Sequence, residues 1–474
     1  MPSFRHLRRV TLLVAAAATA VALHAAAATT NPSNYTGRVG LNTHLVWLSQ
    51  SAAHTALSQA RAGGVAWVRE EFPWGAVEPQ RGTFSWNRTD ALMSAASRAG
   101  VNVLGILSYS APWASSDPSG GGDSKYPPRD VADYARYAAA VAARYGSGGT
   151  FWAAHPELVP RPLTAVQIWN EPFGYWFWKP NPSPAAYAKL ARAAAVAVRS
   201  VKPGMTILVA GDVLQVRTDG QLFDWLKSLR AADPGLNTLV DAYSVHPYPH
   251  PRANGPYLDR ADPRWDYRRV TLTHEIDPSL PIWITEVGWS TADTTDSVSE
   301  ATQASHVRGA VVRALDDWGA YVERIFVYSF DRDSADRSDR EGHYGLLRQD
   351  GSAKPAWDAL RTLLAADTTP TAPIAFTVAT SQPADGATVR GSIVWEALPA
   401  GTEVARVDFA IDGQHRWSER SAPYRYDGDT GTLDVGGLTV GTHTLGVTAT
   451  ALDGRTARSS VTIEVVRKKK GGGT

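Results

Sequence analysis

Ala165-Val166-Gln167-Ile168-Trp169-Asn170-Glu171-Pro172 is a short apolar run that ends on an amide, a carboxylate and a proline. It is too short for a buried helix and stops at a residue that cannot donate to a ladder, which predicts a strand, Ala165–Asn170, with Glu171 at its C-terminal tip. A helical pattern follows at Pro184–Val201, with Ser183 as N-cap, proline in the first turn and Lys202-Pro203-Gly204 as the stop. The same strand-then-helix unit recurs on both sides. Further strands are expected at Val39–Asn42, Ala66–Glu70, Asn102–Leu107, Thr206–Ala210, Ala242–His246, Ile282–Glu286 and Arg324–Phe330. Helical patterns fall at Ala52–Ala62, Arg88–Ala99, Val131–Tyr145, Leu222–Ala231, Trp265–Glu275, Glu300–Trp318 and Ala356–Leu364. Strongly apolar strands that alternate with amphipathic helices form a parallel sheet covered by helices. Eight such units close into an α/β (β/α)8 TIM barrel, here placed at residues 36–366, with a doubly wound open sheet as the alternative of similar element order.

In a (β/α)8 barrel the residues at the C-terminal strand ends meet at one mouth. Glu171 arrives there from the fourth strand, and Glu286 from the seventh, Pro281-Ile282-Trp283-Ile284-Thr285-Glu286-Val287-Gly288-Trp289. His246 and Tyr248 end the sixth, Arg69 lies on the second, and His44 follows the first. Taken singly, Glu171 reads as readily as a carboxylate at a helix N-terminus, and Glu286 as a structural partner of Arg69. Taken together, Trp169-Asn170-Glu171-Pro172, Val245-His246-Pro247-Tyr248 and Ile284-Thr285-Glu286-Val287-Gly288, in that order, resemble the motifs of glycoside hydrolase clan A. Phe72-Pro73-Trp74, Val77-Glu78-Pro79 and Gly82-Thr83-Phe84-Ser85-Trp86 resemble the strand 2 region of family 39 and related family 5 enzymes. The resemblance covers Val39 to about Leu364 and implies a retaining β-glycosidase with no cofactor and no metal. Glu171 would be its acid/base and Glu286 its nucleophile.

Retention needs two carboxyl groups about 5–5.5 Å apart, one attacking the sugar and the other protonating the leaving group. Glu286 must therefore be ionised, with Arg69, His246 and Tyr248 holding it so by charge and hydrogen bonds. Glu171 must begin protonated, and the negative charge of Glu286 is expected to raise its pKa. Asn170 is positioned to donate to a sugar 2-hydroxyl. Sugar rings present apolar C–H faces to aromatic platforms, and the loops offer Trp47, Trp74, Trp113, Trp176 and Trp289. Trp176 and Trp289 are the leading candidates, with Trp74 and His44 completing the substrate-binding set. No dense run of Asn and Asp marks a closed pocket, which favours an open cleft acting within chains. Two departures leave the sugar open among cellulose, xylan, mannan and an exopolysaccharide. Strand 8 runs Val327-Tyr328-Ser329-Phe330, where many family 5 enzymes place a tryptophan, and Tyr109-Ser110-Ala111-Pro112-Trp113 lacks the histidine that some carry.

The rest of the chain sets limits. Of its 474 residues 44% are hydrophobic and 20% charged, with a net charge of +1, which suits a globular protein and gives no field for nucleic acid. It has no cysteine, which excludes disulfides and thiolate chemistry. Arg5, Arg8 and Arg9, the apolar run from Val10 to Leu23 and the small residues Ala25 to Ala28 read as a signal peptide at 1–28, hence a secreted or surface-associated protein with no membrane span. After a linker at 367–373, short strands at Ile374–Ala379, Ser392–Glu396, Val404–Ile411, His443–Ala449 and Ser459–Val466 alternate with Asp385-Gly386, Asp412-Gly413 and Asp453-Gly454 turns. They predict a small β-sandwich at 374–467, which resembles the bacterial Ig-like domains of secreted polysaccharide enzymes. That resemblance implies contact with a cell wall or matrix. The tail 468–474 reads as disordered. Gly120-Gly121-Gly122-Asp123-Ser124-Lys125 lacks the ending of a phosphate loop, His274-Glu275 lacks a second zinc ligand, and Asp331–Asp339 leaves calcium open. The expected partner is a polysaccharide or oligosaccharide, met by a monomer. A non-catalytic carbohydrate-binding or adhesion protein on the same barrel is the alternative, which an intact carboxylate pair disfavours.

Overall fold

The structure, a computed structural model, describes residues 35–216, 218–366, 376–400, 404–420, 423–427, 431–451 and 455–467. The signal peptide, linker, Asp453-Gly454 turn and tail expected from the sequence lie outside the described residues.

Eight parallel strands pair in chain order: β1 Val39–Asn42, β2 Trp67–Glu71, β3 Asn102–Leu107, β4 Ala165–Ile168, β5 Thr206–Ala210, β6 Ala242–Val245, β7 Ile282–Val287 and β8 Val322–Val327. β8 returns to β1, with Val39 opposite Ile325 and Leu41 opposite Val327, and that pairing closes the barrel and excludes the open sheet. The helices between them are α1 Gln50–Ala62, α2 Asn87–Ala99, α3 Val131–Tyr145, α4 Pro184–Val201, α5 Trp225–Ala232, α6 Arg269–Ile276, α7 Glu300–Val312 and α8 Pro355–Ala366. α4 starts where its cap residue predicts, Ser183 accepting from the Ala186 amide. Three helices start or stop elsewhere than expected. Leu222–Asp224 is a strand paired with Leu214–Val216, and Asp224 then caps α5 through the Lys227 amide. Pro263–Trp265 forms a separate 3-10 turn before α6, and α7 gives way at Arg313 to a π turn. The last strand begins at Val322 and ends at Val327, earlier at both ends than expected.

Period-2 alternation decides what lies inside the barrel. Val68, Val166, Ile168, Val209, Ile284 and Ile325 belong to the core shared with the helices. The intervening positions Trp67, Leu104, Ala165, Leu208, Trp283 and Phe326 form a second apolar cluster, the barrel's own plug. Trp67 and Trp283 meet edge to face there at 5.9 Å, and the Arg324 guanidinium lies 4.3 Å over Trp283. One step further toward the C-terminal ends, the inward positions become Asn42, Arg69, Gln167 and Thr285, all buried. An unpaired polar group at such depth costs about 1–3 kcal/mol, so this layer persists only if its members bond one another. They do, and they carry the site.

The C-terminal module is all β: β9 Thr377–Gln382, β10 Ala387–Val389, β11 Ser392–Val394, β12 Glu396–Ala400, β13 Val404–Ile411, β14 Gln414–Glu419, β15 Thr432–Asp434, β16 Gly441–Ala451 and β17 Thr456–Val465. One sheet runs β10-β17-β16-β13-β14, while β9 pairs with β12 and β11 with β15. Asp412 and Gly413 both take positive φ, 52° and 78°, the turn that an Asp-Gly pair favours between strands. Trp395 fills the core, stacked on Tyr426 and edge-on to Phe409. No helix among the described residues is long and apolar enough to cross a membrane.

Candidate active site

The chain leaves β4 through an unusual bend. Trp169 and Glu171 both take positive φ, 63° and 45°, on either side of Asn170. For non-glycine residues that conformation costs on the order of 1–3 kcal/mol each and persists only where the surroundings enforce it. Here Trp169 donates from Nε1 to the Phe177 carbonyl at 2.8 Å, and Gln167 donates to the Trp169 carbonyl at 3.0 Å. The bend turns Asn170 and Glu171 together into the mouth. At the end of β7 a β-carbon on Gly288 would lie 2.0 Å from the Tyr328 carbonyl oxygen, so only glycine lets the chain pass there after delivering Glu286.

Arg69 organises the floor. Its Nε donates to Gln167 at 3.0 Å, Nη1 to Asn42 at 2.7 Å and to Glu286 Oε2 at 3.0 Å, and Nη2 to Asn170 Oδ1 at 2.5 Å. The planar fork thereby fixes the ends of β1, β4 and β7 against one another. The other oxygen of Glu286 accepts from the Tyr248 hydroxyl at 2.9 Å. Asn170 donates in turn to the Tyr109 hydroxyl at 3.2 Å. The structure brings Arg69, Asn170, Glu171, His246, Tyr248 and Glu286 into one network, as the sequence implied. Oxygens of Glu171 and Glu286 and a nitrogen of His246 all lie within 4.8 Å of one another.

The electrostatics correct one expectation. His246 Nδ1 is 2.7 Å from Glu171 Oε1 and 3.7 Å from Glu286 Oε2, while Nε2 lies 3.0 Å from Thr285 Oγ1. Burial pushes the Glu171 carboxyl up, but the His246 hydrogen bond and charge, with Arg252 and Arg69, hold it below the usual carboxylate range. Burial pushes the imidazole down, and the charge of Glu286 with the hydrogen bond to Glu171 more than reverses this. The second carboxylate therefore does not raise Glu171, whose carboxyl is held down by the His246 ring hydrogen-bonded to it. Glu171, depressed, adds stability that is present above its ordinary 4.5 and is lost as pH falls through its lowered value. His246, raised, adds stability that is whole below its ordinary 6.5 and is lost as pH rises through its folded value. The melting-temperature gap between wild type and His246→Asn should be widest between those two values and narrow as pH climbs above the second. A gap that stays flat with pH would mean that the pair carries no charge.

The remaining expected residues divide. Trp176 is 63% exposed and stacked on Tyr175 at 3.8 Å, an open aromatic face just after Glu171. His44 sits at the rim, bonded to Asp331 at 2.9 Å and edge-on to Tyr328, and the Asp331 hydrogen bond raises its pKa to about 9. Trp74 and Trp289 are corrections. At 0% and 1% exposure neither has a face free for a sugar. Trp74 stacks on Tyr137 and donates to Glu78, and Trp289 packs on His306 and donates to the Asn254 carbonyl. Both are core residues of the barrel top. Sequence reasoning missed Asn42, Gln167 and Thr285, although counting by twos along each strand puts them on the inner face. It also missed Tyr109 and Arg252, which lie in loops without a pattern.

Glu171, His246 and Glu286 are the one converging set of acidic and imidazole groups among the described residues. The Arg69 guanidinium on Glu286 and the His246 ring on Glu171 already occupy the places a cation would take. In the Asp331–Asp339 loop, Asp331 is bonded to His44 and Asp333 to the buried Lys354 at 2.6 Å, so these carboxylates do not gather around an ion.

Solved structures share this architecture. A family 39 glycoside hydrolase from Bacteroides cellulosilyticus WH2 aligns over 85% of this chain and 79% of its own, with TM-score 0.51 and 18% identity. A glucosidase from Croceicoccus marinus aligns over 92% and 81%, with TM-score 0.51 and 13% identity. The barrel shares its fold with these two enzymes. At such identities the likeness is one of fold. Residues 377–465 match the bacterial Ig domain family, so the all-β region after the barrel is an Ig-like domain. No curated protein matches the sequence.

Proposed function

We propose that the chain is an exported, retaining β-glycosidase that cleaves within a polysaccharide or oligosaccharide by double displacement. The observation that carries this reading is the Glu171–Glu286 pair, with oxygens within 4.8 Å at the C-terminal ends of β4 and β7. That spacing is closer to the separation of a retaining pair, about 5–5.5 Å, than to the wider one of an inverting pair, and supports direct attack by one carboxylate. Glu286, gripped by Arg69 and Tyr248, attacks the anomeric carbon. Glu171, hydrogen-bonded to His246 at 2.7 Å, protonates the departing oxygen. With the first product gone, Glu171 removes a proton from water, which displaces Glu286 and restores the original anomer. Asn170, held by Arg69, is placed to donate to the sugar beside the reacting carbon.

The exposed Trp176–Tyr175 stack beyond Glu171 supports a chain that extends past the cleaved bond, hence action within chains. Export rests on the Arg5, Arg8 and Arg9 cluster followed by the apolar run. The Ig-like domain, which contributes nothing to the converging acidic set among the described residues, then serves as a spacer or wall contact. Proton NMR of an aryl β-glycoside during turnover tests the central claim: the β-anomer of the free sugar should appear first and mutarotate afterwards. First appearance of the α-anomer would refute retention.

A further inference from the structure

Arg252, in the loop after β6, lies with its guanidinium 4.3 Å over the ring of Tyr248, the phenol that donates to Glu286. It is close enough for its charge to lower the Glu171 pKa. Half-buried, it nonetheless makes no ion pair and no hydrogen bond among the described residues. Across the mouth Lys125, in the loop after β3, repeats the pattern. Its ammonium lies 2.9 Å over the ring of Tyr109, the phenol that accepts from Asn170, and it too has no ion-pair partner among the described residues. Burial pushes that ammonium down to about 8. Charged side chains are seldom taken out of water unpaired. Elsewhere on the barrel, several arginines of similar depth are paired, Arg313 with Asp259, Arg144 with Asp90 and Arg268 with Asp266, while Arg269 keeps a buried Nε without a hydrogen-bond partner. Arg252 and Lys125 stand apart in flanking the carboxylate pair, each resting on a tyrosine that belongs to its network. A guanidinium over a ring, with no carboxylate or carbonyl bonded to it, has N–H groups to offer a planar anion.

We propose that the substrate carries a carboxylate, as a uronic acid unit, on a sugar flanking the cleaved bond, and that Arg252 is the specificity-determining residue that binds it. Lys125 adds the second positive charge on the opposite wall. This rests on the glycosidase reading above and narrows its substrate to acidic glycans. A neutral sugar would leave both cations unpaired and further dehydrated on binding, whereas a uronate gains a charged hydrogen bond.

The test uses the full chain on substrate pairs that differ only at the carboxylate: aryl β-glucoside against aryl β-glucuronide, and neutral β-linked oligosaccharides against the same backbones bearing uronic acid units. Wild type should favour the acidic member by about ten-fold or more in kcat/KM, a preference that shrinks with added salt. Arg252→Gln should bring the ratio toward one, mainly through a higher KM for the acidic member. Arg252→Lys, which keeps the charge without the fork, should retain part of it. If Arg252 only balances Glu171 and Glu286, Arg252→Gln will slow both members alike and leave the ratio unmoved, which overturns the proposal. Equal or faster cleavage of neutral members by wild type overturns it too, with the glycosidase reading intact. Failure of wild type to cleave any member would instead sink the glycosidase reading, and this one with it.

Discussion

Glu286→Ala should lose turnover of aryl β-glycosides by about four orders of magnitude or more, the scale seen when a covalent nucleophile is removed. The loss should appear in kcat and not as unfolding. The inner layer does not depend on this carboxylate, since Arg69 keeps Asn42, Gln167 and Asn170 as partners. What disappears is the atom that attacks, and with it the charge that stabilises the oxocarbenium-like transition state. The truncation also leaves a small space beside Arg69 and the Tyr248 hydroxyl, lined by donors that suit an anion. Azide should enter it and restore part of the rate, with a single displacement giving the α-glycosyl azide. Measuring kcat with and without azide, with Glu286→Gln as a shape-preserving control, checks the assignment. A Glu286→Ala protein that turns over at the wild-type rate would end it.

The contrast between Glu286 and its neighbours explains how much of the site was legible in the sequence. The barrel and its two carboxylates are written in short-range terms: apolar strands of period 2, helices of period 3.6, and a motif at the end of β4 and of β7. Their meeting follows from closure, because once β8 pairs with β1 every C-terminal strand end faces one mouth. What failed is whatever depends on packing above the strands. Trp74 follows β2 and Trp289 follows β7, and from sequence they stand no differently from Trp176. Only the fold shows that the first two point into protein, while the third is 63% exposed. The charge state failed for a related reason. Pairing Glu171 with Glu286 alone predicts a raised pKa, but the nearest group to Glu171 is His246, at 2.7 Å. A hydrogen-bonded ring at that distance outweighs the second carboxylate, and sequence separation gives no measure of such distances.

Glu171→Ala should sort substrates by their leaving groups. For a poor leaving group, such as a second sugar, kcat/KM should fall by about 10²–10⁴-fold, the usual worth of a positioned general acid. For a leaving group acidic enough to depart without help, such as dinitrophenolate, kcat/KM should hardly change, because attack by Glu286 needs no proton. The second step is slowed for both, since Glu171 is also the base that activates water. The glycosyl-enzyme should then accumulate on the activated substrate, so that kcat and KM fall together while their ratio survives. Azide needs no base, and attack on the accumulated intermediate should give the β-glycosyl azide, the opposite anomer to that from Glu286→Ala. Two carboxylates with oxygens 4.8 Å or less apart are thus distinguished by product stereochemistry alone. If Glu171→Ala slowed good and poor leaving groups equally and gave no azide product, Glu171 would be holding the bend after β4 in place and not moving a proton. Its positive φ and its hydrogen bond to His246 would then be the whole of its role.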